Sequence, residues 1–283
     1  MNIKLVASDL DGTIIDRKNN VAKKNFEAIK KLHKKNISFT VCTGKSYSVS
    51  QNFCRQFNAE FGIFGNGSQI IDLRNKKEIY RKVLQKEDLL FISTLAKRYN
   101  FHIHLYTDNE VISEKLEFMD LRNFILKDNS SNNLEFKIVK NIIDYINKNN
   151  PSVFSIVIST ENSSLVDFKN IISCKPNISS AYISKRGKYR DIIVNKDYEY
   201  LSISHSGINK NEALKYLSNY LNISPTNILA IGDNVNDLEM VRDAGIGIAV
   251  SESYDDLKQV AKYVTKSTAT EGAFAEAISK FIN

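Results

Sequence analysis

Cysteine is scarce in this chain. Cys42, Cys54 and Cys174 are the three in 283 residues, too few and too scattered for a disulfide framework or a zinc site. Cys42 lies inside an apolar run, which suits a small core residue. Long hydrophobic runs are missing too. No apolar stretch is long enough to span a bilayer as a helix. An apolar strand begins already at Ile3 and leaves no room for a signal peptide, so a soluble, cytoplasmic protein is expected. No Arg-rich tract or aromatic-basic motif marks a nucleic-acid binder, and no internal repeat is evident. Acidic residues are the minority, 32 against 39 Lys and Arg, for a formal charge of +7. That modest positive field suits an anionic ligand, and it equally describes a Lys-rich solvated surface. The hydrophobic share of 42% and charged share of 25% are ordinary globular values. A chain of this length buries a large core as one big domain or two smaller ones.

What is present is concentrated at the ends of apolar runs. The run from Ile3 stops at Asp9-Leu10-Asp11-Gly12-Thr13. A short apolar run bounded by turn residues reads as a buried strand. Asp9 and Asp11, two residues apart, leave an extended chain on the same face, so two acids meet at the strand's C-terminal end. Like charges held that close repel unless a cation lies between them or one takes a proton. Gly12 lets the chain turn sharply, and Thr13 is expected to brace that turn. The stretch suits a hard-cation site beside a carboxylate nucleophile; an ordinary strand exit is the plainer alternative.

Residues 21–35 carry Ala22, Phe26, Ile29 and Leu32 at helical spacing, with lysines on the other face and Asn36 at the end. A second strand, 37–42, runs into Thr43-Gly44-Lys45-Ser46, and a helix (46–57) and a third strand (61–64) follow. Strands alternating with helices argue an α/β fold, a Rossmann-like parallel sheet with helices on both faces. Thr43 and Gly44 at a helix start suit a phosphate cradle, or a simple N-cap. Gly65-Asn66-Gly67-Ser68 is read as a structural hairpin turn, with strands at 69–72 and 79–84.

From about residue 85 the pattern changes. Helix-like stretches at 86–99, 114–126, 139–149 and 163–173 alternate with short runs at 101–107, 153–159, 179–184, 189–195 and 198–204, with a polar spacer at 127–133. None of these strand ends carries an acidic-glycine motif. The domains expected are therefore a core, 1–83 and 206–283, and an inserted α+β domain with a mixed or antiparallel sheet, 84–205. The core resumes near Gly207-Ile208-Asn209-Lys210. A lysine near a helix start opposes the helix dipole and favours a specific anionic partner. A further buried strand, 227–232, ends in Asp233-Asn234-Val235-Asn236-Asp237. A helix cap needs one side chain, and this stretch offers four.

Taken in order, these motifs resemble those of the haloacid dehalogenase (HAD) superfamily. Asp9-x-Asp11-Gly12-Thr13 resembles its first motif and Thr43-Gly44 its second. Lys210 matches the lysine of the third, and Gly232-Asp233-x-x-Asn236-Asp237 resembles the fourth. The layout, with a long insert after the second motif, resembles the Cof-type phosphatases with the large α/β cap. Lys45 stands where that branch usually has Arg, Ser202 where it has Glu, and Asn211 where it has Gly. The loop 267–272 lacks the Asn and Asp common before the last helix, and Asn66-Gly67 resembles the branch's Asn-Gly-Ala turn. The resemblance implies a Mg²⁺-dependent phosphatase of small phosphomonoesters acting through an aspartyl-phosphate, with a phosphomutase or a catalytically silent phosphate-binding protein as alternatives. It implies Asp9 as nucleophile, Asp11 as acid and base, and Lys210 as the third catalytic group. Leu10, Thr43, Gly44 and Asn236 would bind the phosphate. Mg²⁺ would be held by Asp9, the Asp11 carbonyl and Asp233, with Asp237 orienting or joining that set. The partner implied is a small phosphorylated metabolite, with no nucleic acid or membrane; the oligomeric state stays open. On 101–107, His102, His104 and Tyr106 alternate with Phe101, Ile103 and Leu105. The polar face is expected to select substrate, to be solvated, or to offer a weak His-x-His metal pair.

Overall fold

Leu5-Val6-Ala7-Ser8 forms β1 (Leu5–Ser8), buried at every position. A strand covered on both faces belongs in the middle of a sheet, and β1 lies fourth in a sheet of eight. The structure, a computed structural model, describes residues 2–16, 18–115, 134–161, 165–182 and 199–282. The helix expected at 114–126, the spacer 127–133 and the strand at 189–195 lie wholly or almost wholly outside those residues. The chain divides into two units, one of Met1–Lys45, Gln51–Arg81 and Ile208–Asn283, the other of Ser46–Ser50 and Lys82–Gly207.

In the first unit β1 is followed by α1 (Lys23–Lys34), β2 (Ser38–Cys42), the part of α2 (Tyr47–Gln56) from Gln51 on, β3 (Phe61–Phe64), β4 (Gln69–Asp72) and β5 (Lys77–Arg81). Helix α1 buries Asn25, Ala28, Ile29 and Leu32. Asn25 was not expected inside. Its amide donates to the Ile14 carbonyl at 3.0 Å and its oxygen accepts from the Ala275 N–H at 3.1 Å, so a polar side chain ties two backbones together. The turn at 65–68 joins β3 to β4, which pair antiparallel. Four residues are too few for the crossover that a parallel pair needs.

The second unit holds α3 (Lys86–Arg98), β6 (His102–Tyr106), β7 (Glu110–Ser113), β8 (Glu135–Ile138), α4 (Ile142–Asn149), β9 (Ser155–Thr160), α5 (Leu165–Ser173), β10 (Ile178–Tyr182) and β11 (Glu199–His205). Its sheet runs β10-β11-β9-β6-β7-β8, antiparallel except between β7 and β8. Ile103, Leu105, Ile156, Ile158, Leu201 and Ile203 point to one side and pack with Leu89, Ile92, Ile146 and Phe168 of the helices. The chain then returns to the first unit through α6 (Lys210–Tyr220), β12 (Ile228–Gly232), α7 (Leu238–Asp243), β13 (Ile246–Ala249), α8 (Asp255–Val260), β14 (Tyr263–Val264) and α9 (Ala273–Phe281).

The first sheet is ordered β14-β13-β12-β1-β2-β3-β4-β5. The six strands from β14 to β3 are parallel, and the β4–β5 hairpin makes the sheet mixed. The fold is α/β, with an inserted unit between β5 and α6. The chain leaves β1 toward β2 on one side and returns to it through β12 on the other. Such a reversal of strand order opens a crevice at the strands' C-terminal ends. No helix among the described residues is long and apolar enough to cross a membrane.

Candidate active site

Four strand ends and one helix start meet at this crevice. The parallel ladder continues one residue past each strand: the Asp9 N–H donates to Ile231 O at 3.0 Å and the Thr43 N–H to Ile63 O at 2.9 Å. Beyond Asp9 the chain turns, with Leu10 O accepting from Thr13, Ile14 and Ile15 at 3.3, 3.0 and 3.0 Å. Gly12 has φ +83°, and a Cβ there would lie 2.3 Å from Asp233 Oδ2, so glycine is required both by conformation and by space. Thr13 was expected to brace its own turn. Its hydroxyl instead donates to Asp233 Oδ1 at 3.3 Å.

Lys210 is wholly buried and is the first residue of α6, after the N-cap Asn209. Its ammonium lies 2.6 Å from Asp9 Oδ1 and 2.6 Å from Asp237 Oδ1. Asp237 Oδ2 accepts from the N–H groups of Asp233 and Asn234 at 3.1 and 3.0 Å. Asp237 therefore caps the turn after β12 with one oxygen and fixes Lys210 with the other. Asp9, Asp233 and Asp237 bring carboxylate oxygens within 4.8 Å of one another. Lys45 reaches Asp11 Oδ1 at 3.1 Å.

The Thr43–Lys45 and Gly65–Gly67 turns are zipped together. Gly65 N–H donates to Lys45 O at 2.9 Å and Asn66 N–H to Thr43 O at 3.1 Å. The Asn66 side chain then accepts from Asn236 Nδ2 at 2.8 Å. The turn read as merely structural thus supplies a side chain that orients a candidate phosphate ligand. Asn66 has φ +56°, a left-handed conformation that asparagine tolerates. An Asn between two glycines was the available signal. The N–H groups of Leu10 and Gly44 take no acceptor among the described residues.

A family model described as haloacid dehalogenase-like hydrolase matches residues 6–278. The chain belongs to that family. A curated relative, the 5-amino-6-(5-phospho-D-ribitylamino)uracil phosphatase YcsE of Bacillus subtilis, is 24% identical over 284 residues, covering 100% of this chain and 97% of its own. The phosphoglycolate phosphatase of Methanobrevibacter smithii is 26% identical over 283 residues, covering 100% of both. The fold is similar to the crystal structure of a haloacid dehalogenase-like hydrolase from Bacteroides thetaiotaomicron, with TM-score 0.81, 22% identity, and 99% and 100% of the two chains covered. Family membership and the carboxylate cluster together make this protein a HAD-type phosphoric-monoester hydrolase.

The electrostatics of this HAD site favour a further cation. Burial pushes the Asp9 carboxyl up to about 7; Lys210 opposes that shift, and Asp237 and Asp11 add to it. Burial, then the neighbouring Asp9 and Asp237, holds Asp233 well above the ordinary carboxylate range. Burial also works against the charge on Lys210, but Asp237 and Asp9 outweigh it and keep the ammonium protonated. Asp9, Asp11, Asp233 and Asp237 thus face two ammonium groups, Lys210 and Lys45. Asp9 Oδ2 and Asp233 Oδ2 accept no hydrogen bond among the described residues. An all-oxygen set with uncompensated negative charge fits a hard divalent cation.

In the second unit, His102, His104 and Tyr106 do lie on the face opposite Ile103 and Leu105. His104 pairs across to Val157 and Ser113. A solvated outer face does not describe it, because it is 3% exposed. Burial, with His102 adding, pushes its imidazole down to about 4, so it is neutral at pH 7. Neither histidine joins a cluster of three or more metal-ligating side chains among the described residues.

Proposed function

We propose that the protein is a Mg²⁺-dependent phosphatase of small phosphomonoesters, of the Cof type, working through an aspartyl-phosphate on Asp9. The observation that carries the reading is the state of Asp9: one carboxylate oxygen is pinned by Lys210 at 2.6 Å and the other is unengaged at the mouth of the crevice. A pinned carboxylate with one open oxygen is an oriented nucleophile. Asp9 Oδ2 attacks phosphorus, the ester P–O bond breaks, and Asp11 gives its proton to the departing oxygen. Water then attacks the phosphorus of the aspartyl-phosphate and passes a proton to Asp11, which frees Asp9 and inorganic phosphate. Thr43, the Leu10 and Gly44 N–H groups, Asn236 and Lys210 stabilise charge on the transferring group. Mg²⁺ fits Asp9, Asp233 and the Asp11 carbonyl, with Asp237 orienting the set, and when bound it neutralises charge on the phosphoryl oxygens.

The substrate class rests on the relatives' names, which are phosphatases of a ribitylamino-uracil phosphate and of phosphoglycolate. Both are small metabolites esterified on an alkyl oxygen. Selection among such esters is assigned to His102, His104 and Tyr106. The test of the chemistry is Asp9→Asn with p-nitrophenyl phosphate and Mg²⁺. The amide is a poor nucleophile, so turnover should fall by about four orders of magnitude with the fold retained. A mutant as fast as wild type would overturn the nucleophile assignment.

A further inference from the structure

Lys210 spans Asp9 and Asp237, so Asp11 needs its own answer to the charge it carries while the aspartyl-phosphate stands. Lys45 supplies one. Its ammonium lies 3.1 Å from Asp11 Oδ1, and the two side chains are 17% and 18% exposed. Its backbone is fixed at both ends: the Lys45 N–H donates to Thr43 Oγ1 at 3.2 Å, and its carbonyl accepts from Gly65 at 2.9 Å. The ammonium is therefore delivered from a clamped turn, not from a loose surface chain. We propose that Lys45 is a positioning residue for Asp11: it holds the acid-base carboxylate in the rotamer that meets the leaving-group oxygen. The proposal rests on the phosphatase reading, in which Asp11 protonates the leaving group.

Two features favour positioning over a purely structural role. A single ion pair still reached by solvent adds little net stability, so the fold has little use for it. And the acid it holds is separated from the nucleophile by one residue, so a rotamer change at Asp11 removes the proton donor without disturbing Asp9. The rival role for Lys45 is a direct grip on the transferring phosphoryl group. The two make different predictions because an acid matters in proportion to how poor the leaving group is.

The experiment measures kcat/KM, which reports steps through departure of the leaving group, on an alkyl phosphate and on 2,4-dinitrophenyl phosphate. It compares wild type, Lys45→Met, Lys45→Arg, Asp11→Asn and the Lys45→Met/Asp11→Asn double mutant, with inorganic phosphate as competitive inhibitor. Positioning predicts that Lys45→Met loses on the order of 10- to 100-fold on the alkyl phosphate and less than about 3-fold on the dinitrophenyl ester. Phosphate inhibition should stay within about twofold, Lys45→Arg should restore most of the loss, and Lys45→Met should add nothing in the Asp11→Asn background. Equal losses on both esters with weakened phosphate inhibition would assign Lys45 to the phosphoryl group and overturn the proposal, as would no loss at all. If Lys45→Met melts early, Lys45→Gln carries the same comparison. Failure of the underlying reading looks different: Asp11→Asn alone would then keep wild-type kcat/KM on the alkyl phosphate.

Discussion

The C-terminal edge of the eight-stranded sheet and the polar face of the six-stranded sheet both bury polar groups, but they treat them differently. At the first, the central charges are held by specific partners: Lys210 lies between Asp9 and Asp237, and Asp237 also takes two backbone N–H groups. At the second, the groups are hydroxyls and imidazoles. Ser155 and Ser202 meet at 3.3 Å, and the buried Ser159 Oγ has no partner among the described residues. A buried charge without its counterpart costs several kcal/mol, while an unmet hydroxyl costs about 1–3 kcal/mol. The first surface therefore tolerates few residue types at each position and the second tolerates many. On the proposed reading, fixed chemistry belongs to the one and adjustable selectivity to the other.

The hardest blow to that contrast is Lys210→Ala. It strands two carboxylates, and breaking a buried pair costs about 3–5 kcal/mol. Turnover should fall by about 10³-fold, the scale of losing a preorganised charge at the reacting group. The metal concentration for half-maximal activity should move by less than about tenfold, because the ammonium is not a ligand. A mutant that loses the divalent cation but keeps turnover at saturating metal would erase the distinction between Lys210 and the carboxylate set.

The same contrast explains which features are legible in the sequence. The α/β alternation and the acids at the ends of β1 and β12 were visible because charge burial leaves short, fixed spacings. The Lys45–Asp11 pair was not, since it joins two strand ends that spacing along the chain cannot relate. Thr13 and Asn66 were read as turn residues because hydroxyls and amides serve turns and sites equally well. Asn25 was missed because a polar residue on an apolar helix face is normally counted outward. Strands β7 and β8 went unread for another reason: at four residues each they are too short to show alternation. Asn211, which stands where the resembled branch has Gly, ties α6 to α7 through Asp243 at 2.7 Å.

Glu276 is a control that separates a paired carboxylate from a catalytic one. It accepts from Tyr263 OH at 2.7 Å and from the N–H groups of Lys266 and Ser267 at 2.8 Å each, outside the site. Partial burial alone would raise its pKa, but these donors outweigh burial and bring it down to about 2 from 4.5. A depressed carboxyl stabilises the fold above its unfolded value and loses that contribution as pH falls from 4.5 toward 2. Glu276→Gln should therefore cost about 1 kcal/mol at pH 7, after solvent screening is allowed for, with turnover unchanged. It should also flatten the loss of stability below pH 4.5. Urea denaturation across pH measures both, and a loss of turnover at full stability would mean that partnering alone does not mark chemistry.

The effect expected to be smallest at pH 7 on p-nitrophenyl phosphate lies on the polar face of the second sheet. His104 is held neutral down to about pH 4, against 6.5 for a free imidazole. The unfolded chain takes up a proton first, so stability is full above 6.5 and falls as pH drops toward 4. This window lies above that of Glu276 and the variant has the opposite sign. His104→Gln should change little at pH 7 and should gain relative to wild type by up to about 2–3 kcal/mol near pH 4. Its effect on turnover should be confined to selectivity. On p-nitrophenyl phosphate, whose small leaving group asks little beyond the phosphoryl contacts, kcat/KM should stay within about twofold of wild type. On the preferred metabolite it should fall by about tenfold, the weight of one or two contacts to the leaving group. Equal losses on both esters would draw His104 into the fixed chemistry of the first surface. No loss on either, with the acid gain intact, would leave it a buried core histidine and shift selectivity to His102 and Tyr106.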